Sequence, residues 1–399
     1  MDMLTLVLGL LAFSSILITT LATLSVFRVL KTQGQNQSLP PISILKPLSG
    51  LDPGLLENLE SFAALDYPHY ELLFAAEDPE DPALDLARIV RAQHPELPIR
   101  ILAGTRPFGL NPKVRNLAAM SDLARHDLLL ISDSNVRAPA NYLRELVRAL
   151  PERGMVTNLV VGVEEQSLGA RLDALELHTF VAMAIAGART VARRSCVLGK
   201  SMLLRKSELT ALGGFLGVKD VLAEDYVIGA KYQESGRRVQ LSPLLVPTVM
   251  GKRSIRSFFS RRLRWCQLRR RTAISSYLAE GLMYPTALAA TWAALGGSLE
   301  VAAMIAALKI ALDGLLVSRF TGRSPTPLDL ALSPLKDLLS VLAWLLAWGY
   351  RRVVWRGHVV EIGRGTIAGP AMDETPSEDR GTTALVARGS YEPCAPNST

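Results

Sequence analysis

The sequence predicts an α/β domain with a mixed, mainly parallel sheet, held at a membrane by helices at both ends of the chain. Short apolar runs alternate with helix-patterned segments between residues 42 and 272, which indicates βα units. The segment from Met3 to Phe27 contains no charged residue and is long enough to cross a bilayer as a helix. The chain becomes apolar again from about residue 277, which predicts further membrane helices.

The composition favours a protein that works at a membrane surface. Of the 399 residues 49% are hydrophobic, and the net charge is +7. Residues 252–271 are rich in Lys and Arg and contain no acid, a pattern that suits phosphates and anionic lipids. Apolar segments flank this stretch, so no nucleic-acid partner is predicted. The three cysteines are too few and too scattered for a disulfide framework or a zinc site, which predicts a domain in a reducing, cytosol-facing compartment.

The chain divides into parts of different composition. They are an N-terminal transmembrane anchor (1–30), a polar linker (31–41), the α/β domain (42–272), C-terminal membrane helices (277–352) and a disordered tail (369–399) rich in Pro, Gly, Ser and Thr. Arg28 and Lys31 follow the anchor directly. By the positive-inside rule, they place the α/β domain on the cytoplasmic side of the membrane.

Periodicity predicts the elements of the α/β domain in order. Apolar runs bounded by turn residues predict strands at Ile42–Leu45, Tyr70–Ala76, Ile99–Leu102, Leu128–Ile131, Met155–Val163 and Ser201–Leu204. Apolar residues at spacings of three and four predict helices at Leu55–Leu65, Pro82–Gln93, Lys113–Ala124 and Glu224–Ser235. Proline at the start of the second helix fits the first helical turn, where its missing N–H costs nothing.

The C-terminal region contains three apolar segments. Gly281–Leu299 is uncharged and predicts a spanning helix. Val301–Val317 is apolar except for Lys309 and Asp313, which are four residues apart and are expected to pair on one helix face. Leu338–Tyr350 is shorter, and two structures remain open for it: a spanning helix, or a segment lying at the membrane interface.

Three separated carboxylates and a basic–aromatic cluster carry the chemistry of this chain. Asp78 and Asp133 each follow an apolar strand, and Asp225 begins a predicted helix. Ligands of open α/β sheets bind beyond the carboxyl ends of the strands. This set therefore predicts a sugar-nucleotide site, in which the first acid holds the nucleoside, the second a metal on the diphosphate, and the third takes a proton from the acceptor. The cluster comprises Arg261, Arg264 and Trp265, which share one helix face.

Each of these residues also has a structural interpretation. Asp78 precedes a proline and suits a turn, while acids at a helix start, such as Asp225, are ordinary partners of the helix dipole. The Arg–Trp cluster is also typical of a helix at a membrane interface. Lys113 is either a surface lysine or a phosphate contact at a helix N-terminus. Glu224 is the second candidate for the proton acceptor, and His178 is expected to be a structural histidine.

The order of these motifs resembles the D, D, D, (Q/R)xxRW signature of membrane glycosyltransferases with the Rossmann-like GT-A fold. Residues 44–53 (Ile-Leu-Lys-Pro-Leu-Ser-Gly-Leu-Asp-Pro), 65–68 (Leu-Asp-Tyr-Pro) and 111–113 (Asn-Pro-Lys) are further similar to the ceramide glucosyltransferases of glycosyltransferase family 21. The resemblance extends from about residue 40 to residue 270.

The resemblance implies an inverting transfer of glucose from UDP-glucose to ceramide, giving β-glucosylceramide. It assigns the general base to Asp225, and substrate or donor binding to Asp78, Lys113, Asp133, Arg261, Arg264 and Trp265, of which Trp265 suits either the sugar or the lipid head group. Asp133 is also the expected ligand of Mg²⁺ or Mn²⁺, hard cations that bind carboxylates and phosphates. The motif reads Asp-Ser-Asn at residues 133–135 where many GT-A enzymes have two acids, and the ceramide glucosyltransferase pattern also lacks the second acid.

Other functions share parts of this pattern. Hopanoid-associated and other lipid glycosyltransferases have many of the same motifs and use N-acetylhexosamine or hexuronic acid donors. A processive polysaccharide synthase has the four motifs but needs more spanning helices. A non-catalytic membrane protein that only binds a nucleotide is disfavoured by the intact Asp225 and Arg264–Trp265.

Overall fold

The computed structural model describes residues 2–31, 38–105, 108–191, 194, 196–349, 352–355, 358–363 and 368–370. The predicted linker therefore lies mostly outside the described residues, as does the predicted tail beyond residue 370. A second, small antiparallel sheet follows the main domain. Its strands are β8 (Arg352–Trp355), β9 (His358–Ile362) and β10 (Ala368–Pro370).

A seven-stranded mixed sheet forms the centre of the molecule and confirms the predicted fold class. Its strands are β1 (Ile42–Leu48), β2 (Tyr70–Ala76), β3 (Ile99–Ala103), β4 (Leu128–Ile131), β5 (Gly154–Glu165), β6 (Met202–Arg205) and β7 (Arg238–Gly251). Their order across the sheet is β3-β2-β1-β4-β6-β5-β7. The first four run parallel, whereas β6 is antiparallel to both of its neighbours.

Helices cover both faces of this sheet and extend beyond it. The helices of the α/β domain are α2 (Leu55–Ala63), α3 (Ala83–Gln93), α4 (Pro112–Leu123), α5 (Tyr142–Ala149), α6 (Leu168–Glu176), α7 (Ala182–Val191), α8 (Lys206–Ala211), α9 (Glu224–Glu234) and α10 (Ile255–Thr272). The remaining helices are α1 (Met3–Val29), α11 (Ile274–Glu280), α12 (Pro285–Ala294), α13 (Leu299–Thr321) and α14 (Pro327–Leu346).

Alternation along the strands divides the core into two clusters. On β1, Ile42, Ile44 and Leu48 belong to the larger cluster, while Leu45 points into the second. This follows from the period of two in a strand, which sends successive side chains to opposite faces. Every residue of β1 is buried, as expected for a strand with helices on both faces.

The predicted strands and helices agree with the observed ones to within a few residues, but β7 and α5 to α8 were not predicted. Pro243 and Pro247 interrupt the strand pattern of β7. The sheet tolerates them because β7 is its edge strand, and its pairing with β5 shifts register at this point.

The N-terminal helix α1 is part of the domain core as well as a candidate anchor. Its last turns contribute Ala22 and Val26 to the larger core cluster, and Thr23 contacts Met183 of α7. Its first turns expose large apolar residues, Leu4 and Leu10 among them. Among the described residues, α1 and α13 are the two helices long and apolar enough to cross a membrane.

The segment Gly281–Leu299 is not the single spanning helix that the sequence predicts. It forms a 3₁₀ turn (Gly281–Met283), the ten-residue helix α12, and a turn at Gly296, whose φ is +95°. Pro285 cannot continue a preceding helix because it lacks the N–H and its ring clashes with the previous turn. A helix of this length spans about 15 Å, half of a bilayer's hydrocarbon core. The segment beginning at Leu338 belongs to the longer helix α14.

A buried ionic cluster joins α13 to α14. The predicted pair on α13 is confirmed, with Lys309 Nζ 2.6 Å from Asp313 Oδ2. From α14, Asp337 lies 3.1 Å from Lys309, and Lys336 lies 3.6 Å from Asp313. These two lysines and two aspartates balance in charge, which offsets the cost of burying each one in an apolar segment.

Candidate active site

The candidate site lies at the carboxyl ends of β1 and β4. The chain passes from β1 outward to β2 and β3, and then returns to place β4 on the other side of β1. This reversal creates a crevice at the end of the sheet where α/β proteins bind ligands. Asp133 follows β4 directly and therefore lies at this crevice.

Three lysines converge on Asp133. Lys113 Nζ lies 2.9 Å from one carboxylate oxygen and Lys200 Nζ 3.7 Å from the other. Lys46, from β1, donates a hydrogen bond of 2.8 Å to the backbone carbonyl of Asp133. Burial alone would raise the pKa of Asp133, but the attraction of Lys113 and Lys200 outweighs it and lowers the pKa to about 2. Asp133 is therefore ionised and able to bind a cation.

Lys113 is buried within the site rather than exposed on the surface. Asn111 caps α4 by accepting hydrogen bonds from the backbone N–H groups of Lys113 and Val114, which fixes the first turn. The Lys113 side chain is 16% exposed and bridges Asp133 to Glu224, at 2.9 Å from each. Burial disfavours its charge, but these two carboxylates outweigh burial and raise its pKa above the usual value. Lys113 thus keeps a positive charge at the crevice.

Asp225 is held beside Lys113 at the start of α9. One of its oxygens accepts a 2.7 Å hydrogen bond from the backbone N–H of Gly199, and the other accepts one from Tyr226 N–H. A Cβ atom at residue 199 would lie 2.9 Å from Lys113 Nζ and 3.0 Å from Asp225 Oδ2, so glycine leaves these two side chains undisturbed. Burial and then the negative charge of Glu224 raise the pKa of Asp225 to about 6. A carboxylate with such a pKa is a suitable proton acceptor near neutral pH.

Glu224 is the less suitable of the two candidate bases. Its side chain is buried, with one oxygen paired to Lys113 and the other 3.4 Å from the Asn111 amide. Asp225 is only partly buried, so a bound hydroxyl group has access to it. The geometry favours Asp225 over Glu224 as the candidate base. Glu224 forms an ion pair with Lys113, and its negative charge raises the pKa of Asp225.

Asp78 lies at the same edge of the sheet, just after β2. It is exposed and accepts a hydrogen bond of 2.9 Å from Glu80 N–H, which fits the turn that the following proline predicts. The preceding residue, Glu77, forms an ion pair with Arg115 of α4. This turn therefore lies next to α4, the helix that carries Lys113. The strand that it follows, β2, is the neighbour of β1 in the sheet.

The basic helix α10 places its arginines in different environments. Arg261 Nη2 lies 2.9 Å from Asp173 Oδ2, the same oxygen that Arg253 contacts. Arg262 is 1% exposed and pairs with two buried carboxylates, Glu176 at 3.0 Å and Glu280 at 2.6 Å. Arg262 therefore forms ion pairs in the protein interior. The run of arginines in the sequence did not indicate this structural role.

Arg264 and Trp265 are half-buried on α10, and Trp265 packs against the larger core cluster. The helix also contacts α14, so this part of α10 adjoins the C-terminal helices. His178 is buried, and its Nε2 accepts a 2.9 Å hydrogen bond from Gly162 N–H, as expected for a structural histidine. Burial lowers the pKa of His178 to about 4, which keeps it neutral.

Lys46 and Lys200 belong to the site but were not predicted. Lys46 sits in the strand of the Leu-Lys-Pro-Leu segment, fully buried over the ring of Phe62 at 3.6 Å. Lys200 precedes β6, and its Nζ donates a 2.7 Å hydrogen bond to Asn135 Oδ1. The start of β6 meets the end of β4 only because these strands are antiparallel, with Met202 opposite Ile131. The sequence does not encode that direction in any periodic signal.

The donor set at Asp133 suits a divalent cation that also binds a phosphate ligand. Within the described parts of the chain, no group of three or more His, Cys, Asp or Glu residues is placed to hold a metal by itself. Asp133 supplies one ionised carboxylate, and the Asn135 amide oxygen lies close by. Mg²⁺ is typically bound by one or two carboxylates with water and substrate phosphates completing the shell. The residues present therefore fit Mg²⁺ or Mn²⁺ brought together with a diphosphate.

Solved structures and curated relatives resemble this chain. A mannosyltransferase from Pyrobaculum calidifontis, solved with GDP-Man and Mn²⁺, has a TM-score of 0.58 and 19% identity, covering 87% of this chain and 99% of that one. This likeness concerns the fold alone, and it confirms the predicted GT-A type. Ceramide glucosyltransferase 1 of Caenorhabditis elegans is 29% identical over 61% of this chain and 53% of its own length. Ceramide glucosyltransferase of Komagataella phaffii is 26% identical over 64% of this chain and 62% of its own length.

The matches to these relatives therefore span about half to three-fifths of their length. A broader match comes from a family model, Glycosyl transferase family 21, which covers residues 7–368. That range includes most of α1, the whole seven-stranded sheet, the crevice at Asp133 and the basic helix α10. It confirms the predicted resemblance and the prediction of a glycosyltransferase at the level of the family: the chain belongs to glycosyltransferase family 21.

Proposed function

We propose that this protein transfers glucose from UDP-glucose to the primary hydroxyl of a ceramide-like membrane lipid, with inversion at the anomeric carbon. The observation that carries the proposal is the group Asp133–Lys113–Glu224–Asp225, in which a cation-binding acid and a proton-accepting acid lie on either side of one lysine. The names of the curated relatives supply the sugar and the lipid.

The donor is expected to lie along the carboxyl edge of the sheet. Asp78, at the end of β2, is suited to the nucleoside, while Lys113, Arg261 and Arg264 supply positive charge for the diphosphate. Asp133 would hold Mg²⁺ or Mn²⁺, whose charge, when the ion is bound, stabilises the departing diphosphate. Lys113, at the N-terminus of α4, adds a second cation.

Transfer then needs one displacement. The lipid hydroxyl oxygen attacks the anomeric carbon while its proton passes to an Asp225 carboxylate oxygen. The bond between the anomeric carbon and the diphosphate oxygen breaks, and its electron pair leaves with UDP. The hydrogen bonds from Gly199 and Tyr226 to Asp225 fix the orientation of the carboxylate, and release of the proton to solvent restores the base.

The acceptor is expected to reach this crevice from a membrane. Helices α1 and α13 suit the bilayer, and the basic helix α10 contacts α14 at the seam between the domain and these helices. A lipid that exposes only its head group keeps its chains in the bilayer and avoids a cost of about 0.8 kcal/mol per CH₂. Trp265 is suited to the head group, and Arg28 and Lys31 favour a cytoplasmic site for the domain.

A test of the function measures UDP release by the purified full chain in vesicles. Ceramide with UDP-glucose is expected to give UDP and a β-linked glucosyl lipid, identified by mass spectrometry. A product only with hopanoids, or only with UDP-N-acetylhexosamine or UDP-hexuronic acid, would replace the proposed acceptor or donor. Binding of UDP-sugars without turnover on any lipid would favour the non-catalytic alternative.

Removal of divalent cations is expected to suppress transfer. EDTA should abolish activity, and Mg²⁺ or Mn²⁺ should restore it, because the diphosphate leaves with negative charge that the lysines and arginines alone do not neutralise. The measurement is the rate of UDP release before and after cation is added back. Full activity after exhaustive chelation would exclude the metal and leave Lys113 and the arginines to stabilise the leaving group.

A further inference from the structure

Lys200 is another lysine of the site, and it lies near the second carboxylate oxygen of Asp133, whereas Lys113 contacts the first. Its side chain is 19% exposed, and its ammonium group lies 3.7 Å from Asp133 Oδ2, beyond hydrogen-bonding distance. The hydrogen bond it makes, to Asn135 Oδ1 at 2.7 Å, is to a neutral amide. An ammonium group has three donors, so Lys200 keeps capacity for an anionic ligand.

Positive charge accumulates between Lys200 and the basic helix. Arg253 and Arg261 both contact the same oxygen of Asp173, at 2.8 and 2.9 Å, so a single carboxylate faces two guanidinium groups. Arg261 and Arg253 lie near enough to Lys200 to repel its charge, while Asp133 and Asp52 attract it. An anion bound between Lys200 and Arg261 would relieve this repulsion.

A cation bound at Asp133 would be a further reason for Lys200 to bind an anion. Lys113 and Lys200 now share the carboxylate of Asp133, and Lys113 has a second partner in Glu224. Lys200 contacts no carboxylate other than that of Asp133 among the described residues. A divalent cation held by Asp133 would compete with Lys200 for this carboxylate, and the accompanying diphosphate would then be the negative partner of Lys200.

We propose that Lys200 is a catalytic residue that binds the donor's diphosphate together with Arg261, and so links the end of β4 to the basic helix α10. The proposal rests on the proposed function, since it takes the donor to be a sugar nucleotide. Its chemistry is that of a phosphate group between an ammonium and a guanidinium, a pairing that both side chains favour. The ammonium group of Lys200 would stabilise the negative charge that develops on the diphosphate as the sugar–phosphate bond breaks.

The test compares ligands with and without the diphosphate. Affinities for UDP and for uridine are measured by competition with Mg²⁺ present, using the full wild-type chain, Lys200→Met and Lys200→Gln. UDP binding is expected to weaken about 10- to 100-fold in both variants, the size of a hydrogen bond to a charged group. Uridine binding is expected to stay within about twofold of wild type, since the lost contact is to phosphate alone.

The matched control is Lys206→Met, six residues along the chain. Lys206 is also partly buried, but it donates to the backbone carbonyl of Ser121 and lies outside the site. This variant should bind UDP as the wild type does. Lys200→Gln keeps the hydrogen-bonding group toward Asn135 without the charge, so it separates loss of charge from loss of folding.

Two results would overturn the proposal. Unchanged UDP affinity in folded Lys200→Gln would show that Lys200 does not contact the diphosphate. An equal loss of affinity for uridine and UDP would show that Lys200 only supports the shape of the site. A wild-type chain that binds no UDP would instead overturn the proposed function.

Discussion

Asp225→Asn is expected to lower the rate of sugar transfer by about 10²–10⁴, the usual cost of losing a general base. Affinity for UDP-glucose should stay within a few-fold of wild type, because the proposed partner of Asp225 is the acceptor hydroxyl, and its carboxylate oxygens accept hydrogen bonds from the backbone N–H groups of Gly199 and Tyr226. The measurements are single-turnover transfer in vesicles and equilibrium binding of UDP-glucose. Glu234→Gln, an exposed change at the other end of α9, is the control and should behave as the wild type does.

The assignment of Asp225 as the base also predicts how the rate of sugar transfer depends on pH. Asp225 works as a base only when it is ionised, and burial together with Glu224 raises its pKa to about 6. The transfer rate should therefore fall as the pH drops through about 6 and level off above it. The residual rate of Asp225→Asn should lack this acidic limb. Near-normal turnover by that variant, or the same limb in its profile, would assign the base elsewhere, with Glu224 as the next candidate.

Arg262→Met is expected to prevent stable folding, whereas Arg264→Ala should leave a folded but inactive protein. Arg262 lies between Glu176 and Glu280, all three buried, and removing it leaves two buried carboxylates with less positive charge. Breaking a buried ion pair from one side costs about 3–5 kcal/mol, much of a typical domain's stability. Arg264 shares a helix face with Arg261 and Trp265 and is expected to bind the donor phosphates.

Size-exclusion chromatography and the thermal unfolding midpoint in detergent separate the two effects. Arg262→Met should give a low yield of monodisperse protein and a lower midpoint. Arg264→Ala should match the wild type in both, yet transfer little sugar, and Trp265→Ala should do the same. An Arg262→Met protein as stable as wild type would contradict the structural role, and normal turnover by Arg264→Ala would contradict the assignment to the donor.

Much of the α/β domain could be predicted because its elements carry local signals. The strands at residues 70–76 and 128–131 have the predicted bounds, since each is an apolar run that ends at a polar turn. The acids after these strands reach one edge of the sheet because parallel strands end there. The break within residues 281–299 was missed, although Pro285 and Gly296 signal it, because an uncharged stretch of that length also suits a spanning helix.

Part of the candidate site could be predicted because some of its residues also belong to local sequence motifs. Lys113, Asp133 and Asp225 lie together as the motifs indicate. Lys200 joins them only through the antiparallel direction of β6, which depends on the tertiary structure. Likewise, the sequence presents Arg261, Arg262 and Arg264 as one basic cluster. Only packing against Glu176 and Glu280 distinguishes Arg262 as the buried member.

The central claim is that the crevice at Asp133 and Asp225 transfers a sugar to a membrane lipid. Mass spectrometry of the lipids of cells that make the wild-type chain or Asp225→Asn, at equal levels of folded protein in the membrane, tests it most directly. A hexosyl lipid of the ceramide type is expected in cells that make the wild type and not in cells that make the variant. An identical lipid profile in the two cell lines, with ceramide and UDP-glucose both present, would contradict it.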